Sequence, residues 1–178
     1  MQTSLVLTVI ADDKPGIVEQ IAEPITAAGA NWEESRMARL AGKFAGLLRI
    51  SVDPARADAL AASLAALRSQ GLTIAVERSV DLAPAPLRTL RLDLIGNDRP
   101  GIIRDISRIL ARHGVNIDEL ETAVSSAPMS GEVLFRASAH IRAPSTLSLE
   151  SLRTELEALA GELMVDLTLD DVAEAGMA

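Results

Sequence analysis

The sequence predicts an α+β protein built from two small units, each an antiparallel sheet with two helices on one face. Three observations carry that prediction. The stretch Asp13-Lys14-Pro15-Gly16-Ile17-Val18 returns as Asp98-Arg99-Pro100-Gly101-Ile102-Ile103, and the same 85-residue offset carries Gly29 onto Gly114, Asn31 onto Asn116 and Glu34 onto Glu119. Within each copy the apolar period switches between strand-like and helix-like in the order β-α-β-β-α-β, the split βαβ arrangement of ferredoxin-like folds. Between the copies, Ala83-Pro84-Ala85-Pro86 forms a linker stiffened toward extended polyproline geometry. The expected layout is unit 1 over 1–82, a linker over 83–87, unit 2 over 88–170 and an acidic tail over 171–178.

In unit 1, Leu5, Leu7 and Val9 alternate along a β-branched and aliphatic run over 4–11, which predicts a strand. After the turn Asp12-Asp13-Lys14-Pro15-Gly16, apolar residues at 17, 18, 21 and 25 trace one helical face that Gly29 closes as a C-cap. Pro24 interrupts that face, and a kink or an early stop is expected because proline removes a backbone bond and crowds the carbonyl of Gln20. Its register match in unit 2 is Ile109, so that helix is expected to be straighter. Strands over 31–40 and 43–52 flank Ala41-Gly42 as a hairpin. Asp53-Pro54 then reads as N-cap and first helical position, followed by the stripe Ala57, Leu60, Ala61, Leu64 and Leu67, with Gly71 as terminator and a last strand from Leu72.

Unit 2 repeats the order: strand 88–96, helix 101–112, strands 115–124 and 132–142, helix 148–160 and strand 162–169. Leu149, Leu152, Leu156 and Leu159 give its second helical stripe. Matching Gly131 to Gly42 implies an offset of 89 and hence four inserted residues in its hairpin loop.

Composition excludes several function classes. Hydrophobic residues make up 48% of the chain but only Trp32, Phe44 and Phe135 are aromatic, so the cores must be aliphatic. A net charge of −8 with little basic clustering argues against a phosphate-tracking surface and direct nucleic-acid binding. The absence of cysteine excludes disulfides, thiolate metal sites and a Cys nucleophile. No apolar run approaches the roughly 20 residues of a membrane span, and the N-terminus lacks a signal-peptide layout. A cytoplasmic protein is expected.

The Asp98 to Ile103 turn holds the candidate chemistry. A strand that runs through such a turn into a helix leaves unpaired backbone N–H groups at the helix N-terminus, where a carboxylate is favoured. Asn116, at the start of the following strand, offers both a donor and an acceptor, and antiparallel folding is expected to bring it toward the turn. The competing reading is structural: Pro100 and Gly101 shape a tight turn while Asp98 caps the helix and fills the anion position. Asn116 has its own structural alternative, satisfying backbone groups after Gly114.

These residues resemble tandem ACT-domain proteins: Asp-Arg-Pro-Gly-Ile-Ile after a first strand, an amphipathic helix, Gly-Val-Asn-Ile, then a hairpin. In length and two-domain arrangement the chain is most similar to the glycine cleavage system transcriptional repressor group. The resemblance implies an amino-acid site at an interface between paired domains, formed by the turn after the first strand and the start of the second. In unit 2 it implicates Asn97, Asp98, Arg99, Pro100, Gly101, Ile102, Asn116 and Ile117. The unit 1 equivalents are Asp12, Asp13, Lys14, Pro15, Gly16, Ile17, Asn31 and Trp32. Trp32 replaces the small aliphatic usual there, so unit 2 is expected to be the competent copy. Function is then expected to be non-enzymatic sensing of glycine or a similar amino acid by a homodimer acting through a protein partner, a DNA-binding transcription activator. A regulatory subunit of an amino-acid biosynthetic enzyme is one alternative, and an enzyme using the acidic clusters Glu33-Glu34 and Asp118-Glu119 with Glu121 is the other.

No nucleophile motif, phosphate loop or dinucleotide fingerprint is present, and no cofactor is implied. His113, ending its helix, is expected to meet the helix dipole or solvent, and His140 to be packed or exposed in a strand. Glu33-Glu34 and Asp118-Glu119 with Glu121 read as solvated strand edges rather than a cation site, and no metal is expected. Arg36, Arg39, Lys43 and Arg49 form a modest basic side of the first hairpin, read as an exposed face or protein contact.

Overall fold

The computed structural model describes residues 2–79, 87–126 and 133–172. Residues 83–86 of the expected linker and most of the unit 2 hairpin loop lie outside those residues, as does the tail from 173, whereas Leu87, expected in the linker, already belongs to a strand. The chain divides into two compact units, Met1–Leu82 and Ala83–Ala178.

Unit 1 comprises β1 (Thr3–Asp12), α1 (Ile17–Ala27), β2 (Asn31–Leu40), β3 (Lys43–Val52), α2 (Pro54–Ala66), a 3-10 turn (Leu67–Gln70) and β4 (Leu72–Ser79). Its sheet has the order β2-β3-β1-β4, all antiparallel. Unit 2 repeats this as β5 (Leu87–Asn97), α3 (Ile102–Arg112), β6 (Asn116–Ser126), β7 (Val133–Pro144), α4 (Leu149–Leu163) and β8 (Val165–Asp171), in the order β6-β7-β5-β8. In both sheets the strand after the first helix forms an unpaired edge.

Alternation places one set of side chains under the helices. Leu5, Leu7 and Val9 of β1 and Leu48, Ile50 and Val52 of β3 are buried against Ile17, Ile21 and Ile25 of α1 and Leu60 and Leu64 of α2. In unit 2, Leu90, Leu92, Leu94 and Ile141 meet Ile102, Ile106 and Leu110 of α3 and Leu152 and Leu156 of α4. Both cores are aliphatic; Trp32, Phe44 and Phe135 only flank them.

Helix boundaries follow cap chemistry. Asp53 Oδ1 accepts the Ala55 N–H at 2.8 Å with Pro54 opening α2, as the sequence predicts. Gly29 (φ 66°) and Gly114 (φ 67°) end α1 and α3 in left-handed geometry, and the next amides close onto the helices: Ala30 N–H donates to Ile25 O at 3.0 Å and Val115 N–H to Leu110 O at 2.9 Å. Pro24 does not stop α1, which has the same 11 residues as α3. Only the bond to the Gln20 carbonyl is forfeited, and the buried Ile21 and Ile25 on either side hold the turn against the sheet.

Three expectations are corrected. α4 runs through Gly161 to Leu163, displacing the start of β8 from 162 to Val165, because Leu159 and Leu163 extend the apolar stripe and Met164 (φ 52°) ends the helix in place of a glycine. β8 continues to Asp171, which pairs with Leu90 and bridges to Arg88 at 2.9 Å, so the tail begins later than 171. The hairpin insertion is six residues, not four: Leu134 pairs with Ser125 as Lys43 pairs with Leu40, making Leu134 the match of Lys43 at an offset of 91. Gly131 lies outside the described residues, and the register of Leu134 with Ser125 replaces the match made through it.

Candidate ligand site

Each sheet delivers its central strand into the repeated turn at one end. Gly101 (φ 99°) and Gly16 (φ 91°) sit in left-handed geometry immediately before α3 and α1, and no side chain caps either helix. The competing reading, in which Asp98 caps α3, is therefore not met, and among the described residues the first amides of the helix have no side-chain acceptor. The exposed Asp98 instead uses its backbone, donating to Val133 O at 2.9 Å, while Asp13 N–H donates to Gly42 O at the equivalent place.

Long basic side chains fasten each turn from the side. The Arg99 guanidinium donates to Glu162 O at 3.1 Å and the Lys14 ammonium to Gln70 O at 3.2 Å, tying both turns to the end of the second helical segment. Asp12 and Asp13 are occupied by Lys43 and Arg39, the latter pair at 2.6 Å. The Lys43 ammonium beside Asp12, through its hydrogen bond first, lowers the Asp12 carboxyl below its usual range.

The sequence reading missed Arg104. A Cβ on Gly101 would lie 3.1 Å from Arg104 Nη2, so this guanidinium stands over the turn, held by Asp105 at 2.9 Å. The Asp105 hydrogen bond raises the Arg104 pKa further and that pair lowers Asp105. Its unit 1 match is Glu19 and that of Asp105 is Gln20, so an Arg–Asp ion pair borders the turn in unit 2 alone. That difference was readable from the repeat.

Asn116 does not face its own turn. It pairs with Arg142, which pairs with Thr89, eight residues before Asn97 along β5, a separation of about 26 Å at strand rise. Asn31 sits likewise opposite Ser51 and Ser4, eight residues before Asp12 and again about 26 Å away. The reason is plain: the first helix carries the chain back along the whole sheet before the next strand begins. Asn97 to Ile102 therefore cluster at one end of unit 2, and Asn116 with Ile117 lie at the other. Asp12, Asp13, Pro15 and Gly16 are separated from Asn31 in the same way. Asn116 Nδ2 donates to Asp118 Oδ1 at 2.6 Å, and Asp118 also bridges to Arg142. Trp32 is half-buried against the unit 1 core, its indole donating to Ser35 Oγ at 3.3 Å.

The other candidates resolve into ion pairs. Glu33 and Glu34 meet Arg49 at 3.4 and 3.7 Å, and Glu119 meets His140 at 2.8 Å. His113 is not left to solvent: its Nε2 lies 2.6 Å from Glu155 Oε2, with Arg112 on the same carboxylate. Arg36, Arg39, Lys43 and Arg49 each have a carboxylate partner. Among the described residues no group of three or more His, Asp or Glu could hold a metal ion, and no helix is long and apolar enough to cross a membrane. A depression of about 450 Å³ lies on the helix-free face of unit 2, lined by residues including Asp93, Glu121, Arg136 and Thr168, away from the turn.

Two copies of one split βαβ unit, each opening its first helix with a glycine-bearing turn, define the chain as a tandem repeat of a single domain type. Residues 3–77 and 91–161 each match the ACT domain, and the chain belongs to the ACT-domain family. Over 166 residues it is 24% identical to the glycine cleavage system transcriptional repressor of Escherichia coli (strain K12), covering 91% of this chain and 86% of that protein. A crystal structure of an unknown protein from Galdieria sulphuraria superposes with a TM-score of 0.87 at 31% identity, covering 97% of this chain and all of that one. A candidate glycine cleavage system transcriptional repressor superposes with a TM-score of 0.71 at 23% identity, covering 98% and 99% of the two chains.

Proposed function

We propose that this chain is a non-enzymatic amino-acid sensor whose ligand sits between two paired domains. The observation that carries the reading is the opposite placement of the two halves of the candidate site. A turn with uncapped helix amides occupies one end of each sheet, and an Asn begins the edge strand at the other. Pairing two edge strands antiparallel about a two-fold axis sets the turn end of one domain beside the Asn end of its neighbour. The ligand's carboxylate then meets the first amides of α3, and the Asn of the neighbouring domain takes the remaining polar groups. A small amino acid such as glycine suits a site made mostly of backbone.

Such a site is regulatory by linkage. A ligand that bridges two domains shifts the pairing only by its differential affinity for the two arrangements, and a protein partner that reads the pairing is shifted with it. The likeness to the E. coli repressor supports a partner in transcription regulation. The net charge of −8 supports a partner that itself holds the DNA.

The test is a thermal-shift panel of free amino acids. A ligand at 100 times its dissociation constant adds about 2.7 kcal/mol to the folded state. Stabilisation by glycine or a close relative, lost in Asn116→Ala or Asn31→Ala, is the expected outcome, and no shift with any amino acid would refute the sensor.

A further inference from the structure

Three positions that the repeat makes equivalent carry opposite charges in the two units, and all three lie on the elements that border the unpaired edges. Arg36 and Glu121 stand at the midpoints of β2 and β6. Glu19 and Glu23 on α1 match Arg104 and Arg108 on α3 at the same 85-residue offset. All six side chains are exposed. Arg36 pairs across its sheet with Leu47 and Glu121 with Ser138, which puts both on the helix-free face at the same register position. Glu34 holds Arg36 at 3.8 Å, whereas Glu121 has no ion pair among the described residues. The edges themselves expose Leu40 in unit 1 and Leu120 and Val124 in unit 2.

From this charge reversal we infer that two copies of the chain pair crosswise, the β2 edge of unit 1 in one chain against the β6 edge of unit 2 in the other. The inference rests on the paired-domain reading above and deepens it. In the fully overlapped antiparallel register the midpoints of two edge strands lie opposite each other. Like-with-like pairing opposes Arg36 to Arg36 and Glu121 to Glu121, and like charges directly opposite are destabilising. Crosswise pairing opposes Arg36 to Glu121 twice per dimer.

Chain length favours a second copy as the source of the unlike edge. Joining β2 to β6 within one chain would require the eight Cα-to-Cα steps from Ser79 to Leu87 to cross six strand spacings, about 29 Å. Their fully extended reach is about 26–29 Å, which leaves nothing for displacement along the strands. Two chains exchanging edges meet no such limit. Crosswise pairing makes two chemically different sites: the Asp98–Ile102 turn meets Asn31 and Trp32 of the second copy, and the Asp13–Ile17 turn meets its Asn116 and Ile117.

The discriminating measurement is the dimer dissociation constant, by sedimentation equilibrium, for Arg36→Gln, Arg36→Glu, Glu121→Arg and an equimolar mixture of the last two. Crosswise pairing predicts weaker association for Arg36→Gln and about ten-fold weaker association for each charge reversal. It also predicts recovery to the wild-type level in the mixture, where the two reversed side chains face each other and the two unaltered ones, Arg36 and Glu121, do the same. Like-with-like pairing predicts tighter association for Arg36→Gln, no weakening by either reversal, and a mixture tighter than the wild type; any of these results overturns the inference. Arg36→Gln is mild enough to keep the test open should a charge reversal misfold. Amino-acid binding by the wild-type chain together with unchanged association of the variants would refute crosswise pairing alone, whereas absence of any amino-acid binding would remove the reading beneath it.

Discussion

Two glycine-to-alanine substitutions in unit 2 should move stability in opposite directions. Gly101 adopts φ 99°, and an added Cβ would meet Arg104 Nη2 at 3.1 Å and Asp105 Oδ2 at 3.6 Å. An L-residue in left-handed geometry costs about 1–2 kcal/mol, and the stiffer unfolded chain returns about 0.4–1 kcal/mol. The guanidinium can move aside because it is the free end of a flexible side chain. Gly101→Ala is therefore expected to lose about 1 kcal/mol, a fall of about 4–8 °C in the melting of a domain this size. Gly161 lies inside α4 with nothing within 4 Å of its would-be Cβ. There alanine gains helix propensity, and Gly161→Ala should add about 0.5–1 kcal/mol. Scanning calorimetry of the two variants beside the wild type reads both signs. A neutral Gly101→Ala, or a destabilising Gly161→Ala, would show that the turn or the helix is not built in this way.

Other predictions follow from single features. Ala41 takes φ 48° in the two-residue hairpin turn beside Gly42 at φ 78°, so Ala41→Asn should raise the melting temperature through a gain of about 0.5–1 kcal/mol. Leu64→Ala empties a fully buried position in the unit 1 core and should cost about 2–5 kcal/mol by urea denaturation. Asp93 is held below the usual carboxylate range, first by Arg91 at 2.7 Å and then by a hydrogen bond from Ser138. Its contribution is present above the unfolded value of about 3.9 and lost as pH falls through the folded value. Asp93→Asn should therefore flatten the acid limb of the stability curve, measured by denaturation as a function of pH, and leave the alkaline limb alone.

What the sequence reveals is local chemistry repeated at a fixed offset. Asp53-Pro54, Gly29 and Gly114 are legible because a cap is decided by its own residue and the next few amides. The end of α4 is less so, since Met164 takes a conformation its side chain does not advertise and Gly161 looks like a stop. Pro24 misleads in the other direction: a proline near a helix end loses one bond, and the buried isoleucines beside it outweigh that loss. The site separates along the same line. The Asp98 turn is visible as a motif, but its distance from Asn116 is a property of the whole unit, set by a helix that returns along the full sheet. The Glu155 partner of His113 is equally invisible, because it lies 42 residues away on another helix.

The central claim is that the amino-acid site exists only where two chains meet. Isothermal titration with the amino acid that gives the largest thermal shift, at protein concentrations well above and well below the dimer dissociation constant, tests it directly. The account predicts saturable binding at the higher concentration and its loss as the dimer dissociates, with ligand in turn tightening the dimer by the same factor. Equal affinity in monomer and dimer would contradict it.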